Sequence, residues 1–355
     1  MFFFPEAALR DSVFPDTLPQ GDFTVNKKTA GKGIPAVFFW FTKPDTGATL
    51  RFIMFQPDLK VWLNGQLQTL ENSGVSPLTH SLHYGSGAFE GIRAYEMSDG
   101  RTQIFRLEEH IDRLFYSAEK IHLDIPYSKT VLIAATESVL KENNLSAAYI
   151  RPLVYQDASA LGVGVTGNKT HVLIAAWSWG QYLSDAVSAE VSPYRRISEL
   201  STIADAKISG HYVNSILATM LAKQNGYLEA VLLDHAGNIA EGPGENIFFI
   251  TGNELHTPKL GKILAGITRD AVITFAAELG YTTIERDITL DELPSFESAF
   301  YTGTAAEVSP IEKIDQDGTT LQSFDLTKAN QIKERFFEIV SGDHTKHHSW
   351  LHILT

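Results

Sequence analysis

The stretch Ala206-Lys207-Ile208-Ser209-Gly210-His211-Tyr212 decides how this chain is read. Downstream of it come Glu241-Gly242-Pro243-Gly244-Glu245-Asn246 and Gly303-Thr304-Ala305-Ala306-Glu307. In that order they supply one lysine, a carboxylate, and two turns of small residues with free backbone N–H groups. A free lysine has a pKa of about 10.4, so nucleophilic use needs burial or nearby positive charge. The neighbours of Lys207 are small or apolar apart from Asp205, and Gly210 suits close approach of backbone to a ligand. For any lysine taken alone, a solvated surface position is the ordinary reading. What singles out Lys207 is the company it keeps.

Working outward, HYVNSILATMLAKQNG (211–226) reads as an amphipathic helix closed by Gly226, and EAVLLDHAGNIAEGPGENIFFI (229–250) as a hairpin turning at 235–238. Thr268 opens the helix TRDAVITFAAELG, YTTIERDI (281–288) is a strand, SAFYTGTAAEVSPI (298–311) is strand–turn–strand, and LTKANQIKERFFEIVSG (326–342) is a last helix. Towards the N-terminus, AYIRPLVYQD (148–157) and HVLIAAWSW (171–179) are strands, and SKTVLIAATESVLKENN (128–144) is a helix capped by Ser128. In LEEHIDRLFYSAEKI (107–121), Leu107, Ile111, Leu114, Phe115, Ala118 and Ile121 form a helical stripe. Asn64-Gly65 is a two-residue hairpin signal. Short strands and helices without strict βαβ alternation argue for an α+β fold. The chain divides as an N-terminal extension (1–50), a small domain (51–176), a linker (177–187) and a large domain (188–355). The extension is rich in aromatics, with strands in AVFFWF and TLRFIMF, and is expected to pack on the body rather than form a disordered tail.

The 355 residues are enough for two domains, and 44% hydrophobic with 20% charged residues is ordinary globular composition. A formal charge of −13 argues against nucleic-acid or anionic-membrane partners, which need a clustered basic surface. With no cysteine there is no disulfide, thiolate nucleophile or thiolate metal site. MFFFPEAALRD lacks the basic and apolar regions of a signal peptide, and AVFFWF is far too short to span a membrane, so a cytoplasmic protein is expected.

A lysine, an acid and anion-binding turns are what pyridoxal 5'-phosphate requires. On AKISGHYVNS, EGPGEN, GTAAE, LHYGSGAFEGIRAY (82–95), HIDRL (110–114) and AYIRPL (148–153), the chain resembles the branched-chain aminotransferases, fold-type IV pyridoxal-phosphate enzymes of two domains. The resemblance runs from about Lys60 to the C-terminus. It implies transamination between branched-chain L-amino acids and 2-oxoglutarate in at least a homodimer. Lys207 would carry the cofactor, Tyr212 would bond its phenolic oxygen and Glu241 its ring nitrogen, with Glu245 the alternative by spacing alone. Arg113, Ile267, Thr268 and Thr304 would hold the phosphate. Thr304 and Ala305 would offer N–H groups to a substrate carboxylate, and Tyr149 and Arg151 would serve the α- and side-chain carboxylates. Phe89, Tyr84 and Tyr182 resemble the aromatic wall, part of which family members take from a partner subunit; Arg93 matches a structural or rim position.

Gly162-Val163-Gly164-Val165-Thr166-Gly167 satisfies the G-x-G-x-x-G pattern, which would suggest an NAD-dependent dehydrogenase. A strand rather than a helix follows it, so a loop is the better reading, one that could cover the site across a dimer interface. The histidines of HTKHHSWLH (344–352) lack a carboxylate cluster and read as a solvated terminus with no metal. Within the fold, D-amino-acid aminotransferase and aminodeoxychorismate lyase are the rivals. The D-specific enzymes show arginine followed two residues later by histidine, where this chain has Arg151-Pro152-Leu153.

Overall fold

A computed structural model describes residues 24–29, 36–42, 49–180 and 183–354, with side chains from residue 55 onward. The chain forms two compact units, Met1–Gln56 and Pro57–Thr355. In the first, β1 (Thr24–Thr29), β2 (Ala36–Thr42) and β3 (Thr49–Phe55) make an antiparallel meander. The strands read in AVFFWF and TLRFIMF are β2 and β3.

The second unit contains two sheets with helices against them. Its elements begin with β4 (Lys60–Leu63), β5 (Gln66–Thr69), α1 (His80–Tyr84), β6 (Gly87–Phe89), β7 (Ile92–Glu96) and β8 (Thr102–Phe105). They continue with α2 (Leu107–Lys120), α3 (Lys129–Glu142), β9 (Ala148–Gln156), β10 (Thr170–Trp177), β11 (Val187–Val191), α4 (Tyr212–Gln224), β12 (Glu229–Leu233) and β13 (Ile239–Glu241). The rest are β14 (Asn246–Thr251), β15 (Glu254–Thr257), α5 (Ile267–Glu278), β16 (Thr282–Glu285), β17 (Ser298–Gly303), β18 (Glu307–Gln316), β19 (Thr319–Ser323), α6 (Thr327–Val340) and β20 (Leu351–Ile353).

The first sheet runs β20-β8-β7-β9-β10-β4-β5, with β6 also on β9. All its pairings are antiparallel. The β4–β5 hairpin turns at Asn64 and Gly65, whose φ angles of 51° and 93° are what an Asn-Gly turn adopts readily. Leu107, Ile111, Leu114 and Ala118 of α2 are buried with Leu132, Val139 and Leu140 of α3 against this sheet, and Phe115 and Ile121 pack at the margin. Full burial of such an aliphatic chain is worth about 1.5–3 kcal/mol. Ser128 caps α3, its hydroxyl accepting from the N–H of Val131 at 3.3 Å.

The second sheet runs β13-β12-β11-β18-β17-β14-β15-β16, with β19 on β18. It is mixed: β11 is parallel to β12 and β18, and β15 to β16, whereas the other pairs are antiparallel. α5 and α6 pack their apolar stripes around Phe248, Phe275, Phe300 and Phe336, while Ile247, Phe249, Tyr301 and Ile311 belong to a separate cluster. The α+β reading holds.

Three local readings need correction. Thr268 does not open α5: Gly266, extended at φ −70° and ψ 131°, is the N-cap, so Thr268 lies within the first turn with its hydroxyl free of capping. Gly210 does not open space for a ligand. A Cβ there would meet the carbonyl oxygen of Gly85 at 3.3 Å, so its bare face serves backbone packing. The tail at 344–352 is not a loose solvated end, because β20 pairs with β8 and His347 stacks on Trp350 at 4.1 Å between centroids. Among the described residues, no group of three or more His, Cys, Asp or Glu could hold a metal, and no helix is long and apolar enough to cross a membrane.

Candidate functional site

Lys207 is pinned by backbone contacts from the first sheet's side. Its N–H donates to Ser117 Oγ of α2 at 3.0 Å, and its carbonyl accepts from the N–H of Phe89 at 3.1 Å. The next residue, Ile208, bridges Ala88. Close by, Gly85 sits at φ +66° and a Cβ on it would come within 2.6 Å of Gly210 Cα, so two backbones meet where no side chain fits. This register turns the Lys207 amine inward, 2.5 Å from the hydroxyl of Tyr212 and 5.0 Å from the ring centroids of Phe89 and Tyr212.

The amine opens into a cavity of about 210 Å³ that Glu241 also lines. Glu241 ends β13 and is nearly inaccessible. Arg196 Nε donates to one oxygen; the other accepts from Asn246 Nδ2 at 3.0 Å and the N–H of Leu264 at 3.3 Å. Burial pushes its carboxyl above the usual range, opposed by Arg196, the Leu264 N–H and Lys207. Glu245 lines the same cavity, and among the described residues its carboxylate accepts only the N–H of Gly244, at 3.0 Å. Burial lifts its carboxyl well above the usual range, and Glu229 and Glu241 add to the lift. Of the two acids in EGPGEN, Glu241 is the one whose carboxylate meets a cation and further donors, which oppose the lift that burial gives it.

The start of α5 lines the same cavity. Gly266, Ile267 and Thr268 line the cavity where α5 begins, with unspent N–H groups and the positive end of the helix dipole. Only glycine fits at 266, since a Cβ would lie 1.9 Å from Asn246 Oδ1. Arg113 reaches in from α2 and donates to the carbonyl of Ala265 at 2.8 Å. Thr302, Gly303, Thr304 and Ala305, at the β17–β18 turn, also line the cavity.

Beside the lysine, Tyr149 and Arg151 rise from one face of β9, with Arg151 Nη2 donating to the Tyr149 hydroxyl at 2.9 Å. The Arg151 guanidinium stacks over Phe89 at 4.7 Å. The Tyr149 ring lies against Trp177 and Trp179 at 5.3 and 5.0 Å between centroids. Gly91 is required opposite, as a Cβ would come within 2.1 Å of the Tyr149 hydroxyl.

Lys207, Arg113, Tyr212, Glu241, Ile267, Thr268, Thr304, Phe89, Tyr149, Arg151 and Ala305 are thus gathered at one cavity. Tyr84 is not: it is half-exposed at the end of α1 and packs on His80. Arg93 faces a neighbouring hollow, 3.4 Å from Glu307 and 3.4 Å from the carbonyl of Gly180. Tyr182 lies outside the described residues. Sequence reasoning passed over Arg196, Ser117, Trp179 and Thr302, which carry no pattern of their own, and Asn246, which closes EGPGEN but was given no role. A charged residue inside the apolar run of GAFEGI was a usable signal for Glu90, described below.

Comparison with known proteins agrees with this geometry. The family model for amino-transferase class IV matches residues 87–314. The chain is 41% identical over 303 residues to the branched-chain-amino-acid aminotransferase of Pseudomonas aeruginosa, covering 84% of this chain and 98% of that one. It is similar to the crystal structure of the branched-chain aminotransferase of Thermoproteus uzoniensis with norvaline, at TM-score 0.79 and 40% identity, covering 84% of this chain and 99% of that one. A third similar structure is the T.th. branched-chain amino acid aminotransferase complexed with N-(5'-phosphopyridoxyl)-L-glutamate. It matches at TM-score 0.77 and 37% identity, over 83% of this chain and 98% of that one. The amine-and-acid cavity, the family match and these full-length likenesses agree: the chain belongs to the class IV aminotransferases and, among them, to the branched-chain-amino-acid aminotransferases.

Proposed function

We propose that the protein transfers the amino group of L-leucine, L-isoleucine and L-valine to 2-oxoglutarate, giving branched-chain 2-oxo acids and L-glutamate, with pyridoxal 5'-phosphate as cofactor. The observation that carries the reading is that Lys207 and Glu241, 34 positions apart in the sequence, line one cavity beside a helix N-terminus. The residues present fit the cofactor. Among the described residues, Arg151 Nε and Thr302 Oγ1 are buried without a hydrogen-bond partner, the kind of group a polar ligand satisfies. The donors at Ile267, Thr268, Thr304 and Arg113 suit a phosphate, and Glu241 suits a protonated ring nitrogen.

When bound, pyridoxal phosphate supplies a carbonyl for the amino group and a ring that withdraws electrons from the substrate Cα. With the cofactor bound, the Nζ of Lys207 would take the Cα proton as general base and give it up as acid at C4′. Tyr212, at hydrogen-bond distance, orients that amine. The N–H groups of Thr304 and Ala305 with the Tyr149 hydroxyl orient the α-carboxylate. Arg151 lies flat on Phe89, so the same pocket offers an apolar face to a branched side chain and a cation to that of glutamate.

The protein is read as a cytoplasmic homodimer, with Tyr84 and the 162–167 loop completing the wall across the interface. The division at 51–176, 177–187 and 188–355 is supported by β4 to β10 lying in one sheet before the connection and β11 to β19 in the other after it, while β20 returns to the first. Activity with L-leucine and 2-oxoglutarate tests the function. Turnover of D-alanine alone would overturn the substrate assignment, and a colourless protein that binds NAD would overturn the cofactor.

A further inference from the structure

Glu90 lies between β6 and β7, wholly buried, and has no part in the roles above. Its carboxylate accepts from Arg113 Nε at 2.7 Å and from Nη2 at 2.9 Å, a two-pronged fork, and Oε2 lies 2.8 Å from Nδ1 of His110. His110 and Arg113 stand three residues apart on one face of α2, so one carboxylate gathers both. A guanidinium has five N–H donors. Two go to Glu90 and one, on Nη1, to the carbonyl of Ala265. The two that remain, one on each Nη, belong to a side chain that lines the cavity next to Gly266, Ile267 and Thr268.

We propose that Glu90 is a positioning residue: its fork fixes the plane of the Arg113 guanidinium so that the two unspent N–H groups meet the phosphate at the start of α5. This rests on reading the cavity as a pyridoxal phosphate site. A buried ion pair gains little stability over apolar packing of the same volume, so the use of this one lies in direction. Glu90 also cancels the charge of Arg113. The phosphate is then met by aimed hydrogen bonds more than by a free cation. Arg113 stays ionised: burial alone would lower its pKa, and Glu90 beside it reverses that.

The test separates the phosphate from the rest of the cofactor. Full-length wild type, Glu90→Gln, Glu90→Asp and Arg113→Lys are each titrated, after removal of cofactor, with pyridoxal 5'-phosphate and with pyridoxal, which lacks the phosphate. Both Glu90 variants and Arg113→Lys are expected to lose about tenfold or more in affinity for pyridoxal phosphate, the scale of one hydrogen bond to a charged group. Affinity for pyridoxal stays within about threefold of wild type. Glu90→Asp keeps the charge but shortens the reach, and it carries the test where Glu90→Gln yields no folded protein. Equal loss for both ligands marks general damage and overturns the proposal, as does wild-type affinity in the Glu90 variants beside a selective loss in Arg113→Lys. If Arg113→Lys and wild type bind both ligands alike, the phosphate reading beneath the proposal fails with it.

Discussion

The amine of Lys207 lies 2.5 Å from the hydroxyl of Tyr212, and the ring of Phe89 stands edge-on to that tyrosine at 4.7 Å. The hydroxyl holds the amine over the cavity, whereas the ring packs. Tyr212→Phe keeps the ring and removes the hydroxyl, so kcat/KM with L-leucine is expected to fall about 10- to 100-fold. Thermal unfolding should move by less than about 1 kcal/mol. An unchanged rate would remove Tyr212 from the chemistry.

Lys207 is expected to be the one residue joined covalently to the cofactor. Borohydride reduction and peptide mapping should place the pyridoxyl label on Lys207. Lys207→Ala should lose roughly a thousandfold or more in kcat. A label on any other lysine contradicts the assignment.

The two acids of EGPGEN are expected to behave differently. Glu241→Gln cannot supply an anion beside Arg196 and leaves that guanidinium unpaired, so kcat should drop about a hundredfold or more. Glu245→Gln replaces a carboxyl whose neutral form burial favours, so it should stay within about tenfold of wild type. Steady-state kinetics of the pair decide it, and a reversed order would exchange their roles.

Arg151 should matter more for the dicarboxylate partner than for the branched one. Arg151→Met keeps much of the stack on Phe89 but loses the cation. KM for 2-oxoglutarate is expected to rise about tenfold or more while KM for L-leucine changes less than about threefold. Equal effects on both would show that Arg151 is structural.

Glu245 also leaves a mark on stability against pH. Its folded pKa is raised, so it adds stability below the unfolded value of about 4.3 and loses it as pH climbs through the folded value. Glu245→Gln should therefore unfold at a temperature that improves relative to wild type as the pH goes from about 4 upwards. A difference that stays flat across the range rules out the raised pKa.

Much of this was legible before folding because it is local. The α2 stripe, the Asn64-Gly65 turn and the Ser128 cap depend on residues within one or two turns of each other. The cofactor motifs are likewise short, so Lys207, Glu241 and the α5 start could be named individually. The start of α5 lies one residue earlier than Thr268 because Gly266 caps it without a side-chain hydrogen bond, which leaves no cue at the cap itself.

The amino-acid order alone settled the inventory of reactive groups and the mixed α+β character, since both follow from residue type and short-range periodicity. Which groups face one another is a different matter. Arg196 meets Glu241 across 45 positions, Arg113 meets Glu90 across 23, and Leu351 pairs with Phe105. Such partnerships arise from sheets that bring distant segments within hydrogen-bond reach, and in a dry interior an ionised group is tolerable only where that partner arrives. No periodicity in the chain encodes the pairing of Glu241 with Arg196 or the fork at Glu90; three-dimensional packing makes it.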